Sequence, residues 1–142
     1  MSKIQGKLTQ NWNDFVKEYL LTEYESTVSG ACMSTKQGIP VLNHGELSHL
    51  KQTDMKYFLS LFNPKPKQEE ELNEIYLPNT QFKFRVIRQT YKSIYGTACD
   101  RNGTGLLINN LPQGVLVCIY HHPVSREVAV KRVEAFCDRL CA

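Results

Sequence analysis

"NGTGLLINNLPQGVLVCIYHHPVSREVAVKRVEAFCDRL", running from Asn102 to Leu140, is the stretch that decides the fold. Within it Val115 to Tyr120 is apolar at every position. A strand covered on one face alternates apolar and polar residues, so this unbroken run predicts a central strand covered on both. Pro112, Gln113 and Gly114 supply the reversal that joins it to a preceding strand, Gly105 to Leu111. Pro123 and Ser125 then open a closing helix with Glu127 in its first turn, where a carboxylate meets the positive end of the helix dipole. At 100° per residue Ala129, Val130, Val133, Phe136, Cys137 and Leu140 share one side, and Glu127, Lys131, Glu134, Ala135 and Asp138 share the other. The first side packs on the sheet and leaves the second for a partner.

Upstream, short β-branched and aromatic runs separated by turn residues continue the pattern: Ile75 to Leu77, Phe82 to Gln89 and Ser93 to Cys99. With the two strands above they predict an antiparallel meander. Asp54 to Phe62 carries Met55, Phe58, Leu59 and Phe62 at helical spacing and predicts a short helix. Thr27 to Met33 and Ile39 to Leu42, on either side of Lys36, Gln37 and Gly38, predict a hairpin. The first helix is expected from Asn11, with Trp12, Phe15, Val16, Tyr19 and Leu20 on one apolar face. The order helix, hairpin, short helix, meander, helix is that of an α/β domain whose terminal helices cover an antiparallel sheet.

The 142 residues fit one compact domain, residues 1–142, preceded by an extension at 1–10. "NPKPKQEEELNE", starting at Asn63, breaks any regular pattern, so 63–73 is expected to be an exposed inserted loop. No apolar window approaches a membrane span, and the first seven residues lack the core of a signal peptide, which predicts a cytoplasmic protein. Five cysteines, Cys32, Cys99, Cys118, Cys137 and Cys141, without a CxxC pair argue against a disulfide framework and a standard zinc site. The net charge of +3 does not by itself indicate nucleic acid. Its distribution is uneven: from Arg85 onward 8 basic residues face 4 acidic ones, net +4, against 9 and 10, net −1, before it. A positive second half suits an acidic protein surface or anionic lipid headgroups.

The order of elements and specific residues within it resemble the profilin family of monomeric-actin-binding proteins. "NWNDFVKEYL" is similar to the family's amino-terminal Trp-x-x-aromatic-Val helix, "GACM" to its first strand and "FKFRVIRQ" to its Val-Ile-Arg strand. The stretch from Asn102 resembles the family's Gly-rich turn, its Ile-Tyr strand, its proline and its closing Val-Glu-x-x-x-Asp-x-Leu helix. The resemblance implies an α/β fold in which a central antiparallel sheet carries N- and C-terminal helices on one face and short helices on the other. It implies a monomer that binds monomeric actin, regulates filament assembly, associates with the cytoskeleton and needs no cofactor, catalytic residue or metal. The matching actin-binding positions are Tyr76 (or Ile75), Val86, Arg88, Arg101, Ser125, Glu127 and Lys131. Arg88 is the strongest anchor, because its planar fork holds a carboxylate bidentately. A solvated Arg88 and a Lys131 paired with Glu134 or Glu127 are the plainer alternatives. Two places depart from the family: Cys99 stands where a second basic residue is common, and a Tyr or small residue is common near Glu134.

Profilins also bind proline-rich segments between their terminal helices, since a polyproline II ligand is already extended and stacks on aromatic rings. Trp12, Phe15 and Leu140 match groove positions, while Arg139 stands where the family has His. Val41 stands in place of a Trp, and the end at Cys141 and Ala142 lacks a Tyr. Weak binding of proline-rich ligands is therefore expected, with Trp12 either a ligand platform or packed on Phe136 and Leu140. Phosphoinositides are a further family ligand that Arg88, Arg101, Lys131 and Arg132 would serve. An adaptor binding such lipids or another protein without strong actin affinity is the alternative function. Cys118 with His121 or His122 is the one constellation resembling a nucleophile and base. The strand position of Cys118 and the opposed directions of adjacent strand residues argue against it. "RNGTG" at Arg101 to Gly105 lacks phosphate-loop spacing and is expected to be a turn.

Overall fold

The computed structural model describes residues 28–62, 74–78, 80, 82–98 and 103–141. The elements are β1 (Gly30–Thr35), β2 (Pro40–Gly45), α1 (Gln52–Ser60), β3 (Glu74–Tyr76), β4 (Lys83–Gln89), β5 (Ser93–Ala98), β6 (Gly105–Asn110), β7 (Gly114–Tyr120) and α2 (Arg126–Cys141). Every strand pairing is antiparallel and the order is β2-β1-β7-β6-β5-β4-β3. The meander β3 to β7 thus closes against the β1–β2 hairpin.

β7 is buried along its whole length. Its residues divide by parity, as a pleated strand requires. Leu116, Cys118 and Tyr120 join the cluster under α2, with Met33, Tyr95, Leu107, Val133 and Phe136. Val115, Val117 and Ile119 join the opposite cluster, with Met55, Phe58, Ile75 and Phe84. The apolar run therefore serves two cores, one on each face. Leu111 and Gly114 exchange both backbone hydrogen bonds, at 2.9 and 3.2 Å, around the two-residue loop Pro112–Gln113. Gly114 is required there, because a Cβ would fall 1.7 Å from the carbonyl oxygen of Ser34 on β1.

α2 begins at the expected cap: the Ser125 hydroxyl accepts the Val128 amide at 3.2 Å. Ala129, Val133, Phe136 and Cys137 are buried against the sheet, and Glu127, Lys131, Glu134 and Asp138 are exposed on the other side. Pro123 does not open this helix but lies in the turn before it, joined to His122 by a cis peptide bond.

Several boundaries move by one to three residues, and three of the shifts have a visible local cause. α1 starts two residues earlier than the apolar spacing predicts, because the Asp54 carboxylate accepts the Lys51 amide at 2.9 Å and caps the turn before it. β1 extends to Thr35, whose hydroxyl accepts the amides of Gln37 and Ile39 at 3.3 Å each. β2 runs to Gly45, since Asn43 and His44 still pair with Cys32 and Ala31. Among the described residues one short helix, α1, lies on the face opposite α2. The amino-terminal helix with Trp12 and Phe15, and the loop at 63–73, lie outside the described residues.

Candidate functional site

α2 covers β1, β7, β6 and Tyr95 of β5; no residue of β3 or β4 belongs to the cluster beneath it. Among the described residues no element covers the outer part of the sheet on that side. The pairing register shows which residues it presents. Phe84 and Ala98 pair and both face the α1 core, and Ile75 pairs with Phe84 on the same face. By alternation Tyr76, Glu74 and Arg85 face the α2 side. Tyr76 is exposed, and Lys83 and Glu74 pair at 3.1 Å beside it.

A β-bulge then intervenes. Val86 pairs with Gly96 but Arg88 pairs with Tyr95, which leaves Ile87 as the additional residue. Without it Arg88 would share the face of Val86. With it Val86 stays against the α1 core, while Arg88 turns to the α2 side and sets its guanidinium 6.0 Å from the centre of the Tyr95 ring. The expectation that Val86 and Arg88 present one surface is corrected by this register shift. Ile87, exposed on the bulge, is the apolar residue next to Arg88.

Tyr95 also reaches α2, where its hydroxyl donates to the Glu134 carboxylate. Burial first, and then Glu134, pushes the Tyr95 phenol up to about 12, so it stays a neutral donor. Glu127, Lys131, Glu134 and Asp138 follow one another at three- and four-residue spacing and form one stripe. Glu134 is engaged by Tyr95, and among the described residues no carboxylate pairs with Lys131 or Arg88. Beside Arg88 the face opens into a groove of about 770 Å³ lined by Lys36, Tyr91, Lys92 and Asn109 and, from α2, Glu134 and Asp138.

Of the sequence-predicted contacts, Tyr76 and Arg88 lie on the α2 side of the sheet, Glu127 and Lys131 are exposed on α2, and Ser125 is at the helix cap. Arg101 lies outside the described residues, as do Trp12 and Phe15. Leu140 and Val41 both pack against the α2-side core from its edge, and Arg139 is exposed on the helix surface. Arg85 and Tyr95 were missed because only the register reveals their side, and Ile87 because only the register reveals the bulge.

The thiol and the histidines do not form a reactive site. Cys118 is wholly buried and its thiol is held well above the usual range, by burial first and by Cys137 and Cys32 next. His121 instead joins two loops: Nδ1 meets the Thr104 hydroxyl at 2.7 Å and Nε2 meets Glu46 Oε1 at 2.5 Å. Among the described residues no three His, Cys, Asp or Glu side chains converge as metal ligands would. None of the helices there is long and apolar enough to cross a membrane.

The profilin family model matches residues 10–142. The chain belongs to the profilin family. Solved profilins share its fold at low identity. Schizosaccharomyces pombe profilin superimposes with a TM-score of 0.73 at 21% identity, covering 91% of this chain and 95% of that one. Acanthamoeba castellanii profilin IA gives 0.71 at 18%, covering 92% and 96%. LokiProfilin2, solved in complex with rabbit actin, gives 0.66 at 17%, covering 99% and 97%. No curated protein sequence gives a significant match.

Proposed function

We propose that this profilin binds monomeric actin through the face made by the open part of the sheet and the polar stripe of α2, and so regulates filament assembly. The observation that carries the reading is the bulge at Ile87, which turns Arg88 onto the same side as Lys131 and beside exposed apolar area. Two basic groups that pair with no carboxylate among the described residues, on the side of the sheet where Tyr76 is exposed, are what an acidic surface with an apolar centre requires. Membership of the family and the likeness to a profilin solved with actin support the choice of partner. Glu127 and Ser125 extend the face along the first turn of α2, and Arg101, outside the described residues, is proposed as a further contact with the partner. Unequal affinity for two actin states would also let binding shift nucleotide exchange.

Reversing both charges in Arg88→Glu/Lys131→Glu tests this in a binding titration with fluorescently labelled monomeric actin. Wild-type binding that the double variant loses supports the face. Equal binding by both proteins rules it out.

The adaptor reading is favoured by one observation, the convergence of Lys36, Arg88 and Lys92 on one groove, which suits an anionic phosphoinositide headgroup. Co-sedimentation with phosphoinositide vesicles by a protein inert toward actin would move that reading to first place. Proline-rich ligands are proposed as weak partners at Trp12, Phe15, Arg139 and Leu140. Saturation of Trp12 fluorescence by a proline peptide at low micromolar concentration would contradict this.

A further inference from the structure

Tyr95 touches both charged groups at the centre of the proposed face. Its hydroxyl donates to Glu134 and accepts from Ser93 Oγ at 3.3 Å, and Ser93 Oγ lies 3.4 Å from Thr90 Oγ1. Its ring stands under the Arg88 guanidinium at 6.0 Å. Among the described residues Arg88 and Glu134 meet through Tyr95 and not directly. Both nevertheless line the same groove and both are exposed. A carboxylate and a guanidinium on long side chains in one groove pair bidentately unless something holds them apart.

We propose that Tyr95 is a positioning residue for partner binding: its hydroxyl holds Glu134 so that the carboxylate does not neutralise Arg88, and its ring steadies the guanidinium facing the partner. This rests on the reading of the face as the partner-binding surface. The arrangement explains how this chain carries a carboxylate at position 134 close to its main cation. The hydrogen of Ser93 goes to the Tyr95 oxygen, which leaves the phenol hydrogen committed to Glu134. The same bond ties α2 to β5, so the stripe and the bulge keep one relative position.

The test uses Tyr95→Phe, Glu134→Gln and the pair, with two measurements on each. The first is the NMR signal of the Arg88 Nε–H group, which responds to a new carboxylate partner without any ligand present. The second is affinity for monomeric actin at low and moderate salt. In Tyr95→Phe the Arg88 signal shifts, and affinity falls about fivefold with a flatter salt dependence, the weight of one partly exposed ion pair. In Tyr95→Phe/Glu134→Gln both return to within about twofold of wild type, because position 134 no longer offers Arg88 a carboxylate. A hydroxyl with a merely structural role predicts no rescue, and a double variant as weak as Tyr95→Phe overturns the proposal. If the wild-type chain fails to bind actin, the functional reading falls, and the Arg88 signal alone decides. A shift in Tyr95→Phe that Glu134→Gln reverses upholds the role of Tyr95, and an unchanged signal in all variants refutes it.

Discussion

Phe136→Ala is the substitution whose cost is best defined. The Phe136 side chain has no exposed surface and sits in the cluster between α2 and the sheet, with Val133 and Ala129 on the same helix and Leu107, Leu116 and Tyr120 in the same cluster from below. A buried aromatic side chain removes roughly 150–250 Å² from water. At about 25 cal/mol per Å² the atoms lost on truncation are worth roughly 3 kcal/mol, and the unfilled space brings the cost to about 3–5 kcal/mol. Against a typical total of about 5–15 kcal/mol this is roughly a fifth of the stability or more. Urea denaturation followed by far-ultraviolet circular dichroism measures it directly. The midpoint should fall strongly while the slope is kept, because the surface exposed on unfolding hardly changes. A matched change at exposed Ala135, to Ser, should cost less than about 0.5 kcal/mol. Loosening α2 also moves the stripe relative to Arg88, so actin affinity should fall although Phe136 is buried away from the proposed face. A loss below about 1 kcal/mol for Phe136→Ala would refute the packing argument, since a side chain held as the structure shows is not removed that cheaply.

Gly114→Ala should cost about 4 kcal/mol or prevent folding, because its Cβ would lie 1.7 Å from a backbone oxygen of β1 that cannot rotate away; a wild-type thermal melt would contradict the β1–β7 register. Brief alkylation of the native protein near pH 8 should leave Cys32 and Cys118 unmodified until denaturant is added. Burial, with Asp54 assisting, pushes the Cys32 thiol up to about 12, and burial pushes Cys118 well up. Rapid labelling of either by peptide mapping would show that the core opens. In an absorbance titration the Tyr95 phenol should ionise near pH 12 in the folded protein, and Tyr95→Phe should remove that step. An unfolded tyrosine loses its proton near ~10, so the stability that Tyr95 contributes is intact below that pH and is lost as pH rises towards 12. A phenol that ionises as in the unfolded chain would disprove the bond to Glu134.

The elements that read clearly from the sequence are those whose pattern is local. The apolar run Val115 to Tyr120 could only be a strand covered twice, and the spacing of Ala129, Val133, Phe136 and Cys137 could only place one side of a helix on a core. The side on which Arg88 emerges was not legible, because a bulge is a property of two strands together and nothing in "FRVIRQ" marks Ile87 as the unpaired residue. Val86 was assigned to the face of Arg88 for that reason. Tyr95 and Glu134 are 39 positions apart, and His121 and Glu46 are 75 apart, so neither contact leaves a trace in local spacing. The early start of α1 has a local cause that apolar spacing does not weigh, the backbone cap supplied by Asp54. Glu127 and Lys131 were legible as exposed from helical periodicity alone, but that Glu134 and Asp138 share a groove with Arg88 follows only from how α2 crosses the sheet.

The most direct test is hydroxyl-radical footprinting of this chain alone and with saturating monomeric actin. Three exposed side chains report on separate places: Tyr76 on the open sheet face, Ile87 on the bulge next to Arg88, and Ile39 at the far hairpin, exposed by 60%, 36% and 52%. The account predicts that actin protects Tyr76 and Ile87 and leaves Ile39 unchanged. Protection of Ile39 with Tyr76 and Ile87 still reactive would contradict it, as would no protection at any of the three.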